Sequence, residues 1–139
     1  MSRNDGDRAG QLESISPDHA VEIWLNQQQT ERADSTLQSY EYRLKPFLEW
    51  CDEEDIDDLT ELSSRDVFRY EAARRGEGLA VTTLQNQIGT LKRFLAFCER
   101  IEAVEEGLTQ KIEVPRSDEF REMVNETKLA APRAEEILE

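Results

Sequence analysis

The chain has 139 residues, 37% of them hydrophobic, and carries 31 acidic against 17 basic side chains for a formal charge of −14. That supports one modest core, hence one domain with tails or a domain and a fragment of the next, and so acidic a chain argues at first sight against a polyanion partner. One histidine, two cysteines with no C-x-x-C spacing, no phosphate-loop or G-x-S-x-G motif, and no apolar run near the ~20 residues of a membrane span give no sign of a metal, a cofactor, a catalytic centre, a small-molecule substrate or a bilayer anchor.

Residues 1–15 are polar and glycine-containing and read as a disordered N-terminal tail, without the apolar core of a signal sequence. Ser16-Pro17-Asp18 is a helix start. It sets a capping hydroxyl, a proline where its missing N–H does no harm, and an acid near the positive end of the dipole. This helix runs to about Gln28 and offers Ala20, Val21, Trp24 and Leu25 to a core. Ser35 opens a second helix, with Ser35 and Gln38 spaced as a capping box. Its apolar stripe is Leu37, Tyr40, Leu44, Phe47, Leu48 and Cys51; Gln38, Tyr42 and Glu49 face away, with Arg43 and Lys45 on the flanks. Pro46 removes the hydrogen bond to Tyr42, which predicts a kink. Residues 52–61 hold seven acids, with Ile56 and Leu59 as apolar pins, and read as a solvated loop.

Ser63 and Asp66 form another capping box, ahead of a third helix to about Arg75 that buries Val67, Phe68 and Tyr70 or Ala73. Gly76 and Gly78 end it. Residues 80–104 are the longest periodic run. Leu84, Ile88, Leu91, Leu95 and Cys98 recur at spacings of 4, 3, 4 and 3, one stripe of an α-helix that should stop near Glu105-Glu106-Gly107. The opposite face carries Thr82, Asn86, Gly89, Arg93 and Arg100, with Thr90 at its margin, and has no acid. Thr82 and Gln85 match a capping box, which would use up the Thr82 hydroxyl. Gly89 costs about 1 kcal/mol against alanine inside a helix; close approach by a phosphate backbone or a second helix is a reason to accept that. Val114-Pro115 is extended, residues 119–125 suggest a short helix, and residues 132–139 look like the start of another. With no strand-like alternation, the fold class is all-α, a four-helix bundle with a C-terminal linker and the start of a further helix. Cys51 and Cys98 fall on apolar stripes and read as buried free thiols of a reducing cytosol.

The charge is uneven. Residues 35–62 hold two bases and nine acids, whereas residues 63–100 hold seven and four. That positive island contains the long periodic helix and is the place to look for a polyanion partner. Thirteen arginines against four lysines, with acids dispersed along the chain, suit a high-salt cytoplasm where charge serves hydration; an ordinary acidic protein is the plainer reading. Thr82, Thr83, Asn86, Thr90 and Arg93 can donate to phosphate oxygens, and Asn86 or Arg93 can reach a base edge. The plain alternative is a wet helix face. Gln38, Tyr42, Arg43 and Lys45 are a second, weaker cluster. Arg65, Arg69, Arg74 and Arg75 would touch a backbone or pair with local acids such as Asp66 and Glu71.

The runs STLQSYEYRLKPFLEWCDEEDI, LTELSSRDVFRYEAARR and TTLQNQIGTLKRFLAFCERIEAV, in this order and spacing, resemble the N-terminal core-binding (SAM-like) domain of tyrosine recombinases, the phage integrases, and most of all its haloarchaeal branch. The resemblance spans roughly residues 16–115. It implies a four-helix core-binding domain at residues 16–107 that clamps one side of a DNA duplex, with its second and fourth helices facing the major groove. Groove-facing roles then fall to Gln38, Tyr42, Arg43 and Lys45, and to Thr82, Thr83, Asn86, Thr90 and Arg93. The implied partners are double-stranded DNA and other recombinase protomers on it, in the cytoplasm. In the family a catalytic domain follows, with two arginines, a lysine, histidines and a nucleophilic tyrosine. On that resemblance residues 108–139 are a linker and the start of a missing catalytic domain, the chain by itself is not an enzyme, and none of Tyr40, Tyr42 or Tyr70 is the nucleophile. The alternative is a helical protein–protein interaction domain without nucleic-acid binding. A contiguous basic face with Arg43, Lys45, Arg93 and Arg100 would favour DNA; an exposed apolar patch would favour a protein partner.

Overall fold

The computed structural model describes residues 11–116, and among them the chain is all-helical with no strand. The four α-helices are α1 (Pro17–Gln28), α2 (Asp34–Glu53), α3 (Ser64–Arg75) and α4 (Val81–Arg100), with 3₁₀ turns at Leu59–Glu61 and Thr109–Lys111. The helices expected at residues 119–125 and 132–139 lie outside the described residues, as does the tail before residue 11.

Two starts follow the local code. At α1 the Ser16 hydroxyl accepts from the His19 N–H and Pro17 takes the first position. At α3 the box is reciprocal: Ser63 Oγ accepts from Asp66 N–H, and the Asp66 carboxylate accepts from Ser63 N–H. The other two expected boxes do not form. The residue preceding α2 is Ala33, extended at φ −67° and ψ 155°, and no side chain caps the helix. Ser35 is already the second helical residue, and only the extended residue before the first turn can aim a hydroxyl at the free N–H groups. Ala80 stands in the same position before α4. Thr82 is therefore exposed and not consumed as a cap, and Gln85 Nε2 donates instead to Pro115 O, at 3.0 Å.

The two long helices end alike. In α2, Ile56 N–H reaches back to Cys51 O at 2.8 Å, with Asp55 left-handed at φ +60°. In α4, Ala103 N–H reaches Cys98 O at 2.8 Å, with Glu102 at φ +64°. Each is the six-to-one closure usually built on glycine. Here an acid holds the left-handed position, and Ile56 and Ala103 fold into the core behind it. The closure stops α4 at Arg100, short of the expected end near Glu105.

An aromatic chain ties the four helices together. Trp24 stacks on Tyr40 with centroids 5.1 Å apart and tilts against Phe94 at 5.7 Å. Phe47 meets Phe94 at 6.5 Å and Tyr70 at 5.3 Å, both edge to face, and Tyr70 also meets Trp50 at 5.5 Å. Tyr40 and Tyr70 are both buried. Phe68 corrects the sequence reading: it is 71% exposed. At 100° per residue Val67, Tyr70 and Glu71 share the inner side of α3, and Phe68 is turned out.

The domain extends past both expected edges. Glu13 N–H donates to Glu102 O (2.7 Å), Leu59 N–H to Ile15 O (2.8 Å), and the Ser14 hydroxyl to the Asp58 carboxylate. The Ser14 hydroxyl and then the Thr60 N–H hold Asp58 below the usual carboxylate range. The expected tail is thus held from residue 13 onward. At the other end Leu108, Ile112 and Pro115 are buried, so the packed unit runs beyond residue 107. Burial alone would raise the Glu99 carboxyl, but bonds from Thr109 N–H (2.6 Å) and Gly107 N–H (3.2 Å) prevail and keep it low, pinning this return to α4. Both cysteines are free and buried; burial pushes the Cys51 thiol up to about 12 and Cys98 higher, which leaves them unreactive.

Candidate nucleic-acid interface

The polar face of α4 is open where the sequence placed it. Thr82, Thr83, Asn86 and Arg93 are exposed, with Arg100 farther along. A Cβ at Gly89 would find nothing within 4 Å, so among the described residues no second helix explains this glycine. Arg100 lies over the Phe97 ring at 5.9 Å, which holds the stem of α4's last cation against its own helix.

Thr90 is the exception on this helix. It is 2% exposed, and its hydroxyl accepts from Arg43 Nη1 of α2 at 3.5 Å. The expectation that Thr90 meets a ligand is therefore corrected: it lies in the seam between α2 and α4. The residue sits on the α2 side of the helix wheel, a margin that the apolar stripe of α4 alone does not place inside or outside. What it does there is orient Arg43. Asn86 and Arg93, four residues before and three after Thr90, lie alongside it on α4. The seam thus brings one member of the α2 cluster next to the α4 cluster.

The rest of the α2 cluster divides. Tyr42 is 75% exposed and points straight out. Lys45 is exposed, but two residues of helix carry it 200° round from Arg43. Gln38 lies on the α1 flank, lining a groove with Asp18, Glu22, Asp34 and Glu41. That setting repels phosphate. A single basic face spanning Arg43, Lys45 and Arg93 is therefore not formed; of the α2 cluster, Arg43 is the member that the Arg43–Thr90 bond sets beside the polar face of α4.

On α3 the local-pairing alternative is seen at Arg69. Arg69 takes the neighbouring acids, at 2.7 Å from Glu54 and 3.2 Å from Asp66, and stacks over Trp50 at 5.4 Å. These carboxylates raise its pKa, Glu54 first. Arg74 Nε donates to Gln87 Oε1 at 3.1 Å, joining α3 to α4. Gln87 was not singled out in the sequence, although its position one turn before Leu91 on the inner side of α4 made its burial readable. Glu71 was not foreseen either. It is 8% exposed, its Oε2 has no hydrogen-bond partner, and burial raises its carboxyl to about 7. Among the described residues no group of three His, Cys, Asp or Glu side chains is placed to hold a metal, and no helix is long and apolar enough to cross a membrane.

Comparison with known proteins gives two matches to this geometry. A family model described as the phage integrase N-terminal SAM-like domain matches residues 21–102. A crystal structure of the N-terminal domain of a phage integrase/site-specific recombinase from Haloarcula marismortui is similar at 40% identity and a TM-score of 0.71, covering 74% of this chain and 99% of that one. No curated protein sequence matches the chain.

Proposed function

The chain belongs to the family of phage integrase N-terminal SAM-like domains, and on that premise we propose that it is the core-binding module of a site-specific tyrosine recombinase that holds duplex DNA along the α2–α4 seam. The observation that carries this reading is the Arg43–Thr90 hydrogen bond, at 3.5 Å, which sets the α2 cation beside the polar face of α4. Thr82, Thr83, Asn86 and Arg93 reach the phosphates, with Asn86 and Arg93 nearest the base edges, while Tyr42 and Arg43 meet the backbone from the α2 side. The open space over Gly89 admits the duplex. Gln38, on the acidic α1 flank, and Lys45, carried round α2 away from Arg43, contribute least, and Thr90 acts through Arg43.

The domain that the family model describes is non-catalytic. In this reading strand cleavage and rejoining belong to a catalytic domain of the recombinase, no cofactor is used by the present one, and other protomers share the DNA. The setting is a cytoplasm of high salt, in keeping with 31 acids dispersed over the chain. Binding by this small cationic set is weak, tolerant of sequence and opposed by salt.

A fluorescence-anisotropy titration of duplex DNA, at the lowest salt that preserves the helical spectrum, tests the seam. Arg93→Ala should lower affinity by roughly tenfold and reduce the salt slope by about one. Arg69→Ala should change it less than about twofold, since Arg69 is already engaged by Glu54 and Asp66. Equal losses from the two variants would put the wrong helix at the groove.

A further inference from the structure

Two surfaces of the domain remain outside the DNA reading, and they complement each other. One is a knob. Phe68 projects from α3 at 71% exposure, with exposed Arg65 and Arg75 on the same helix and Lys111 from the return segment beside it. Glu113 is the exposed acid in this setting. Next to the ring lies the buried Glu71 carboxyl, whose Oε2 has no donor.

The other is a hole. The groove between α1 and α2 has a volume of about 610 Å³ and a half-buried leucine floor of Leu25, Leu37 and Leu48. Its rim is acidic, as described above for Gln38, and holds no base. The side-chain amides of Asn26, Gln29 and Gln38 also line it. An aromatic ring flanked by three cations fits an apolar floor with four carboxylates around it, and the amides supply the kind of donor that Glu71 lacks.

We propose that the Phe68 knob of one copy of the chain seats in the α1–α2 groove of a second copy, joining copies head to tail. The two surfaces share no residue: the groove belongs to α1, α2 and the turn between them, and the knob to α3 and the return segment. One copy can therefore give its knob and receive another at once, so the contact is heterologous and is not used up at the dimer. A knob of one aromatic ring and its cationic collar buries less than a stable pair requires, so association is weak in isolation and becomes effective where copies are already held close. The contact stands on apolar and charge complementarity and does not depend on where DNA binds.

Sedimentation equilibrium of the full chain tests it, at the lowest salt that preserves the helical spectrum. Concentrations should run from about 10 µM to about 1 mM, the range expected for so small an interface. The wild type should pass from monomer through dimer to larger species. Phe68→Ser removes the knob, and the double variant Glu22→Lys, Glu41→Lys cancels the net charge of the rim and sets two cations against the collar; these positions are exposed, so both variants should keep the fold by circular dichroism. Each variant alone should stay monomeric. Their equimolar mixture should form a one-to-one dimer and nothing larger, because one intact knob meets one intact groove. A monomeric wild type throughout, association of either variant alone, or failure of the mixture to pair would overturn the proposal. A DNA titration of the Phe68→Ser variant separates this from the DNA reading: it should bind as the wild type does per monomer.

Discussion

Gly89 gives the sharpest access to the α4 face. Glutamate there exchanges a residue about 1 kcal/mol worse than alanine for one that is near it, so helix propensity alone adds about 0.5 kcal/mol. Nothing lies within 4 Å of the new Cβ, and an acid four residues ahead of Arg93 adds about 0.3 kcal/mol more. For a domain of this size, the melting temperature should rise by about 3–6 °C. DNA binding should move the other way. A carboxylate about 6 Å from a phosphate repels it by about 3 kcal/mol at an effective dielectric near 20, and salt cuts this to about 1–2 kcal/mol, or roughly tenfold in affinity. It also competes for Arg93. Gly89→Lys is the matched control, with similar propensity, the same stabilisation from lost glycine, and tighter binding. Circular dichroism melts and anisotropy titrations of the two variants read both quantities. A collapsed melt in Gly89→Glu would place the residue against protein. A raised melt with DNA affinity unchanged in both variants would remove the face from the interface.

Two further outcomes follow from the helix ends and the buried acid. Because Glu71 holds its proton up to about pH 7 in the folded state, against an ordinary 4.5, its contribution is most favourable below pH 4.5 and is lost as pH rises through 7. Glu71→Gln should flatten that loss by on the order of 1–2 kcal/mol between pH 4.5 and pH 8 in denaturant titrations; an unchanged pH slope would mean that the carboxyl titrates normally. Replacing Asp55 or Glu102 with glycine relieves left-handed backbone and an anion at the negative end of a helix. Each should stabilise the fold by about 1 kcal/mol in the same assay, and a loss of stability would show that the carboxylate has a compensating partner.

The parts that the sequence revealed were those fixed within one turn of chain. The α1 start, the Ser63–Asp66 box and the stripe Leu84, Ile88, Leu91, Leu95 need only local spacing, and they stand as read. The starts of α2 and α4 depend on which residue the incoming loop leaves extended, and Ala33 and Ala80 offer no side-chain signal for that. The end of α4 was hidden because the search for a left-handed stop looks for glycine, whereas Glu102 fills it; the end of α2 was legible from the acidic run that opens at residue 52, although Asp55 takes the same left-handed position. The reading of α3 buried Phe68 and left Tyr70 or Ala73 open; Tyr70 shares the side of Val67, where the rings of Phe47 and Trp50 from α2 receive it, and Phe68 is left outside. Thr90 was assigned outward because the pattern of one helix cannot reveal that Arg43, 47 residues earlier, will cross to meet it.

The bond from Gln85 to Pro115 O has a mechanical meaning. A neutral side-chain-to-backbone hydrogen bond contributes about 1 kcal/mol net, and burying the Pro115 ring adds about as much again. These two contributions by themselves would leave the latch open roughly 3% of the time, without disturbing any aromatic contact of the core, and the packing of Val114 adds to them. When shut, it fixes the heading of the chain at residue 116 alongside the first turns of α4. When it opens, Val114 still packs against the core and Ile112 is buried behind it, so the heading loosens at the Pro115 turn. The heading of the chain at Pro115 is therefore set in part by one glutamine on the helix that carries Thr82 and Asn86.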